Sequence, residues 1–284
     1  MYASLLRHEL CCRNAAYAIS LNLAHVSSYG ETPVIVYKPL PSEKQHGNFL
    51  DATYAVILQR DNWKRRLEKI HSQGSHSLPP ADERWKELDS SMSSDALLMN
   101  IFCHTDVLPG GTVASLLGAS VEDVPEFGFK PRVPMLNRRT DRTEVDMKLG
   151  KLLVEAKLTE TDFQVKPLQL IESYRDLDEV FDRDTLPTAA GQIISYQLIR
   201  NVLAAHALAL DFCLLLDARR PDLIEAWYTI AKCIRIPELR TRCKLLTWQE
   251  LSEVLPEDLR RFLDLKYGIV PPGSVPSIYK GEII

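Results

Sequence analysis

Residues 142–158 read Arg-Thr-Glu-Val-Asp-Met-Lys-Leu-Gly-Lys-Leu-Leu-Val-Glu-Ala-Lys-Leu. Two runs of alternating apolar and polar residues flank the pair Gly150-Lys151. Glycine at the first central position of a two-residue loop favours a type II′ hairpin turn. That turn pairs Leu149 with Leu152, Met147 with Val154, Asp146 with Glu155, Val145 with Ala156 and Glu144 with Lys157. Side chains alternate between the faces of a strand. Val145, Met147, Val154, Ala156 and Leu158 therefore share one face, and Glu144, Asp146, Glu155 and Lys157 the other.

The polar face carries the chemistry. Directly opposed residues on an antiparallel pair lie about 4.5–5.5 Å apart at Cβ, and like charges there repel. Asp146 opposite Glu155 is a poor choice for stability alone, and a hard divalent cation removes the conflict. Mg²⁺ takes oxygen ligands, often one or two carboxylates with waters and substrate phosphate. Lys157, two residues beyond Glu155, places an ammonium where it can orient a nucleophile and offset charge in a transition state. The competing reading is a solvated sheet face whose Glu144 and Lys157 form a surface ion pair of little energetic weight.

These residues resemble the PD-(D/E)xK nuclease superfamily, the restriction-endonuclease-like fold: Asp146 on one strand, then Glu155-Ala156-Lys157 on the next, with Val145 in place of the proline. Downstream, Gln192-Ile-Ile-Ser-Tyr196 resembles the Gln-x-x-x-Tyr motif of the RecB-like branch. On a helix those two residues would share a face. The resemblance spans about residues 85–250. It implies metal-dependent hydrolysis of nucleic acid, most simply DNA. Asp146 and Glu155 would hold Mg²⁺ or Mn²⁺, Lys157 would orient the attacking water, and Gln192 and Tyr196 would position the substrate or catalytic groups. Related nucleases often add a glutamate from the preceding helix. Glu87 and Glu83 lie in that segment, and Glu144 is a rival third carboxylate. Arg138, Arg139 and Arg142 lead into the Asp146 strand and are the best phosphate-binding candidates. The alternative function is a nuclease-fold protein that no longer cleaves and serves as a nucleic-acid-binding or assembly module.

The 284-residue chain is 45% hydrophobic with both charge signs mixed, which describes a globular protein. Its net charge of −4 argues against a general polyanion binder. Six cysteines occur without a Cys-x-x-Cys pair, so no zinc site is signalled. Some RecB-like nucleases hold an iron–sulfur cluster with four cysteines, but the spacing of Cys11 or Cys12 with Cys233 and Cys243 is wrong for that. The most apolar stretch, Val202 to Ala218, is broken by His206 and Asp211 and is too short for a clean membrane span. The expected location is cytoplasmic.

The pattern predicts a mostly helical N-terminal extension over residues 1–80, ending in a Ser/Gly/Pro-rich boundary at 72–81. Residues 81–284 read as an α/β restriction-endonuclease-like core with C-terminal helices: helix, three strands, helix, strand, with a mixed central sheet flanked by helices. Its expected parts are a helix over 95–104, an edge strand over 129–135, the hairpin 142–149/152–159 and a helix from Thr188 to about Leu208. A buried strand over 212–216 follows, then a helix from Asp222 to Cys233, a strand over 243–246 and a final helix over 256–267.

Overall fold

In a computed structural model the described residues are 1–27, 34–38, 45–70 and 86–277. They form two compact units, one from Ala3–Ala114 with Trp248–Ile284 and one from Ser115–Thr247. The division does not follow chain order, because the C-terminal helices group with the N-terminal residues. The boundary expected at 72–81, and Glu83 just beyond it, lie outside the described residues.

The first unit holds helix α1 (Tyr2–Ser20), the antiparallel strands β1 (His25–Ser27) and β2 (Ile35–Tyr37), and helices α2 (Asp51–Gln59), α3 (Asp61–Arg66) and α4 (Ser94–Phe102). Ser93 caps α4 by accepting a hydrogen bond from the Ala96 amide. Helix α5 (Thr112–Leu117) runs across the division between the units. None of the described helices is long and apolar enough to cross a membrane.

The second unit is built on a five-stranded mixed sheet. Strand β3 (Glu126–Phe129) begins it, followed by the two-residue strands β4 (Val133–Pro134) and β5 (Thr140–Asp141), and then the hairpin of β6 (Val145–Leu149) and β7 (Leu152–Ala156). Strand β8 (Lys166–Pro167), helices α6 (Leu168–Glu172) and α7 (Leu177–Val180), and strands β9 (Thr188–Ala189) and β10 (Gln192–Ile193) lead to helix α8 (Tyr196–Leu208). Strand β11 (Asp211–Leu216), helices α9 (Pro221–Ala231) and α10 (Pro237–Arg242) and strand β12 (Cys243–Thr247) complete it. Helices α11 (Trp248–Ser252) and α12 (Glu257–Tyr267) return to the first unit.

The sheet order is β12-β11-β7-β6-β3. Strands β3, β6 and β7 run antiparallel to their neighbours in this series, whereas β11 and β12 join parallel to β7 and to each other. Parallel pairing requires a crossover, and α8 supplies it between β7 and β11. This is the expected order of helix, three strands, helix and strand, with the first strand shifted. The expected strand over 129–135 ends instead at Phe129, since Pro131 lacks a ladder donor and Arg132 adopts a φ of 56°.

The hairpin has the expected register over Met147↔Val154, Lys148↔Leu153 and Leu149↔Leu152. Gly150 has a φ of +54°, and Lys151 is not among the residues of positive φ, as a type II′ turn requires. Every residue of β7 is buried, because the strand is central in the sheet. Leu153 joins Phe212, Leu214 and Leu216 of β11 and Leu198, Ile199, Val202 and Leu203 of α8 in one apolar core. Each such side chain contributes roughly 1.5–3 kcal/mol on burial.

Candidate active site

Strand β7 reads Leu-Leu-Val-Glu-Ala, and Lys157 follows it. The first three residues and Ala156 suit a central strand; Glu155 and Lys157 do not. Glu155 is 0% exposed and Lys157 6%. The solvated-face reading therefore fails at these two positions. Lys157 pairs with Glu155, its Nζ donating to Oε1 at 2.7 Å.

Asp146 reaches the same place from β6. The paired ladder stops at Met147↔Val154, one step short of the expected Asp146–Glu155 pair. Beyond that point the Asp146 side chain replaces the ladder, and its Oδ2 accepts a hydrogen bond from the Ala156 amide at 2.8 Å. The Asp146 carboxylate is thus seated on the peptide between Glu155 and Lys157. Asp146 remains partly exposed.

Two amides from α8 complete the setting of Glu155. Gln197 Nε2 donates to Oε1 at 2.5 Å and Asn201 Nδ2 donates to Oε2 at 2.8 Å. Residues four apart lie on one helix face, so this face of α8 holds both ends of the carboxylate. The Asn201 amide is itself oriented, because its Oδ1 accepts from Arg200 at 2.6 Å. Arg200, 1% exposed, also donates to the carbonyls of Thr143 and Glu144 at 2.7 and 3.1 Å. One buried guanidinium therefore fixes both the amide that holds Glu155 and the chain leading into Asp146.

The start of α8 is placed from the turn after β7. Its first amides are satisfied without a side-chain cap: Tyr196 N donates to Gln164 O at 3.0 Å and Gln197 N to Phe163 O at 2.9 Å. The same turn is held by Arg220, fully buried, which donates to the carbonyls of Glu160 and Thr161 at 2.6 and 3.2 Å. Glu160 accepts from the Leu158 amide at 2.6 Å and adds a further carboxylate near Lys157.

Burial works to lower the pKa of Lys157, but Glu155, Glu160 and Asp146 outweigh it and push the value above the ordinary lysine range. Lys157 is consequently an ammonium, a donor rather than a base. Three carboxylates around one ammonium leave negative charge in excess, which a divalent cation would offset. Among the described residues no group of three or more His, Cys, Asp or Glu side chains could hold a metal ion by itself. Asp146 and Glu155 nevertheless suit Mg²⁺ or Mn²⁺, which keeps waters and needs one or two protein carboxylates beside a phosphate. A carboxylate offers about four acceptor positions. The donors from Lys157, Gln197 and Asn201 occupy three on Glu155, leaving one on Oε2.

The other expected residues are placed elsewhere. Gln192 is not on a helix: it is exposed on β10, paired with Ala189 and Pro167. Ala190 and Gly191 both have positive φ, 49° and 74°, and form the tight turn between β9 and β10. Ser195, with a φ of 62°, ends the extended segment, and α8 starts at Tyr196. The Gln-x-x-x-Tyr helical pair therefore does not exist. The Tyr196 hydroxyl meets Tyr174 Oη at 2.8 Å, and Tyr174 donates to Asp141 at 2.5 Å. Glu144 offers its main-chain carbonyl to Arg200. Glu87 belongs to the first unit, where Lys69 pairs with it at 3.1 Å. Arg138, Arg139 and Arg142 are exposed. Of the cysteines, Cys233 donates to the Thr185 and Thr229 carbonyls and Cys213 is buried in β11, its thiol pushed up to about 12 by desolvation.

Gln197 and Asn201 are the residues that sequence reasoning missed. Their signal was present: two amides four residues apart in a helix otherwise filled by Leu198, Ile199, Val202, Leu203, Ala204 and Ala205. It points to the core only once the helix is started at Tyr196. A family model described as "Restriction Endonuclease associating with ARP" matches residues 23–268. No curated protein and no solved structure matches the chain.

Proposed function

The chain belongs to this restriction-endonuclease family, and from that premise we propose that it is a metal-dependent nuclease hydrolysing phosphodiester bonds in DNA. One observation carries the reading: a glutamate and a lysine enclosed together at the end of an otherwise apolar central strand, hydrogen-bonded to each other and braced by two helix amides. Removing two charges from water costs several kcal/mol per ion, and apolar residues of similar volume would often be as stable or more so. Fold stability does not call for this pair; chemistry at a phosphate does.

The roles follow from position. Asp146 and Glu155 would hold Mg²⁺ or Mn²⁺, which when bound supplies Lewis-acid polarisation of the phosphate and acidifies a coordinated water. Lys157 donates to the attacking water or to a non-bridging oxygen and balances charge gathering there. It is not the proton acceptor, since its neighbours keep it charged. Gln197 and Asn201 are positioning residues that fix the plane of the Glu155 carboxylate. The Ala156 amide does the same for Asp146.

A second reading, a nuclease-fold binding module without activity, draws on the complete enclosure of Glu155. Titration calorimetry with Mn²⁺ separates the two. The nuclease reading expects heat with the wild type and its loss in Asp146→Asn. No heat from the wild type, with DNA binding retained, would favour the module.

A further inference from the structure

We propose that residues 130–142 form an arginine-bearing hairpin that grips the phosphate backbone of double-stranded DNA beside the acidic site. This rests on the nuclease reading for its setting but is testable apart from it. Strands β4 and β5 pair with the register Val133↔Asp141 and Pro134↔Thr140. Arg132 and Arg142 flank the stem at its open end, just beyond the paired residues. Arg138 and Arg139 occupy the turn between the two strands, and Lys130 precedes the stem.

All five cationic side chains are exposed, and none forms an ion pair among the described residues. Five other arginines of the same unit are committed to acids: Arg175 to Asp176, Arg183 to Glu172, Arg219 to Asp217, Arg220 to Asp222 and Arg242 to Asp211. Arg235 and Arg240 are exposed as well, but they stand apart from one another rather than in a cluster of four. Asp141 is the one acid in the hairpin, and it is occupied by Thr143 and Tyr174. In a chain with a net charge of −4, four arginines and a lysine without ion pairs thus fall within residues 130–142, which lead into Asp146.

The hairpin is also held in place. Met135 bridges to Tyr174, Leu136 N donates to Ser173 O at 2.7 Å and Arg175 N to Pro134 O at 3.2 Å. Arg200 fixes the carbonyls of Thr143 and Glu144, just before β6. Arg132, Asn137 and Arg138 adopt left-handed backbone with φ of 56°, 59° and 59°. Such backbone is unfavourable for residues other than glycine and asparagine, and two of the three positions that adopt it here carry guanidinium groups. Guanidinium groups pair with phosphate oxygens in bidentate fashion.

The duplex is favoured over the single strand by composition. Binders of single strands interleave basic residues with aromatic rings on which bases stack. Residues 130–142 contain no aromatic residue. Their contacts would be to phosphate, independent of base sequence.

The experiment is fluorescence anisotropy with a labelled duplex and its isolated single strand, in EDTA so that neither metal nor cleavage enters. Wild type is compared with Arg132→Ala/Arg138→Ala/Arg139→Ala/Arg142→Ala and with the control Arg175→Ala/Arg183→Ala, over a range of salt. The proposal expects duplex binding to weaken about tenfold or more in the quadruple variant. It expects the salt slope to flatten by roughly 0.9 per phosphate contact removed, with the control unchanged. Unchanged duplex binding in the quadruple variant, an equal loss in the control, or tighter binding of the single strand would overturn it. A wild type that binds duplex through these arginines yet never cleaves would sink the nuclease reading and leave this one standing.

Discussion

Replacing Lys157 by Met, or Glu155 by Gln, should destabilise the protein far more than replacing both together. In Lys157→Met the Glu155 carboxyl group stays enclosed without its cationic partner, with only Gln197 and Asn201 as donors. In Glu155→Gln an enclosed ammonium loses its nearest counter-charge, and a new NH₂ group faces existing donors. Removing one partner of a buried pair costs about 3–5 kcal/mol. That is a large share of the roughly 5–15 kcal/mol by which domains are stable. With about 2–4 °C lost per kcal/mol in a protein near this size, each single variant should melt roughly 6–20 °C lower. In Glu155→Gln/Lys157→Met no charge is stranded, so the double variant should be more stable than either single one. Circular dichroism during urea and thermal unfolding of the four proteins gives the coupling energy directly. Additive losses, or single variants each within about 1 kcal/mol of wild type, would refute the claim that the pair is enclosed and mutually dependent.

Three further outcomes follow from the same geometry. Asn201→Ala removes a hydrogen bond to a charged acceptor and frees Arg200 from one partner; it should cost about 1.5–3 kcal/mol in unfolding and lower kcat more than it raises KM in a cleavage assay. Gly150→Ala drives a Cβ into the Asp123 carboxylate on backbone with a φ of +54°, so a loss of roughly 1–2 kcal/mol or more is expected in urea unfolding. Burial of Asp141 opposes ionisation, but hydrogen bonds from Thr143 and Tyr174 lower its pKa overall. A folded pKa below the unfolded one gives stability that is complete above the unfolded value and is lost as pH falls through the folded value. Tyr174→Phe removes one of those donors and brings the folded value closer to the unfolded one, so the fall in melting temperature on acidification should be smaller, and end at a higher pH, than in the wild type.

The hairpin was legible because its signals are local. Gly150 could only turn one way, and strict alternation on either side set the register that Met147↔Val154 and Leu149↔Leu152 display. The buried strand β11 was legible as an unbroken apolar run. The start of α8 was not. Thr188 followed by small residues resembles a helix cap, but Ala190-Gly191 takes the two left-handed positions of a tight turn. The chain therefore makes a second hairpin before the helix starts. A helix begun at Thr188 sets Gln192 and Tyr196 on one face, whereas the helix that starts at Tyr196 presents Gln197 and Asn201, one and five residues beyond Tyr196, to Glu155. The burial of Glu155 and Lys157 could not be read from a strand pattern either. It depends on β11 pairing with β7 from more than fifty residues away and on α8 covering the same strand. The grouping of α11 and α12 with the N-terminal residues is similarly a matter of long-range packing that no local pattern announces.

The central claim is that Asp146, Glu155 and Lys157 act on one phosphodiester. Its most direct test is cleavage of labelled single- and double-stranded DNA in Mg²⁺ or Mn²⁺ by wild type, Asp146→Ala and Lys157→Ala, each checked for folding by circular dichroism. The account predicts metal-dependent products from the wild type and none above background from either folded variant. Equal cleavage by all three proteins, or none by a metal-supplied wild type, would contradict it.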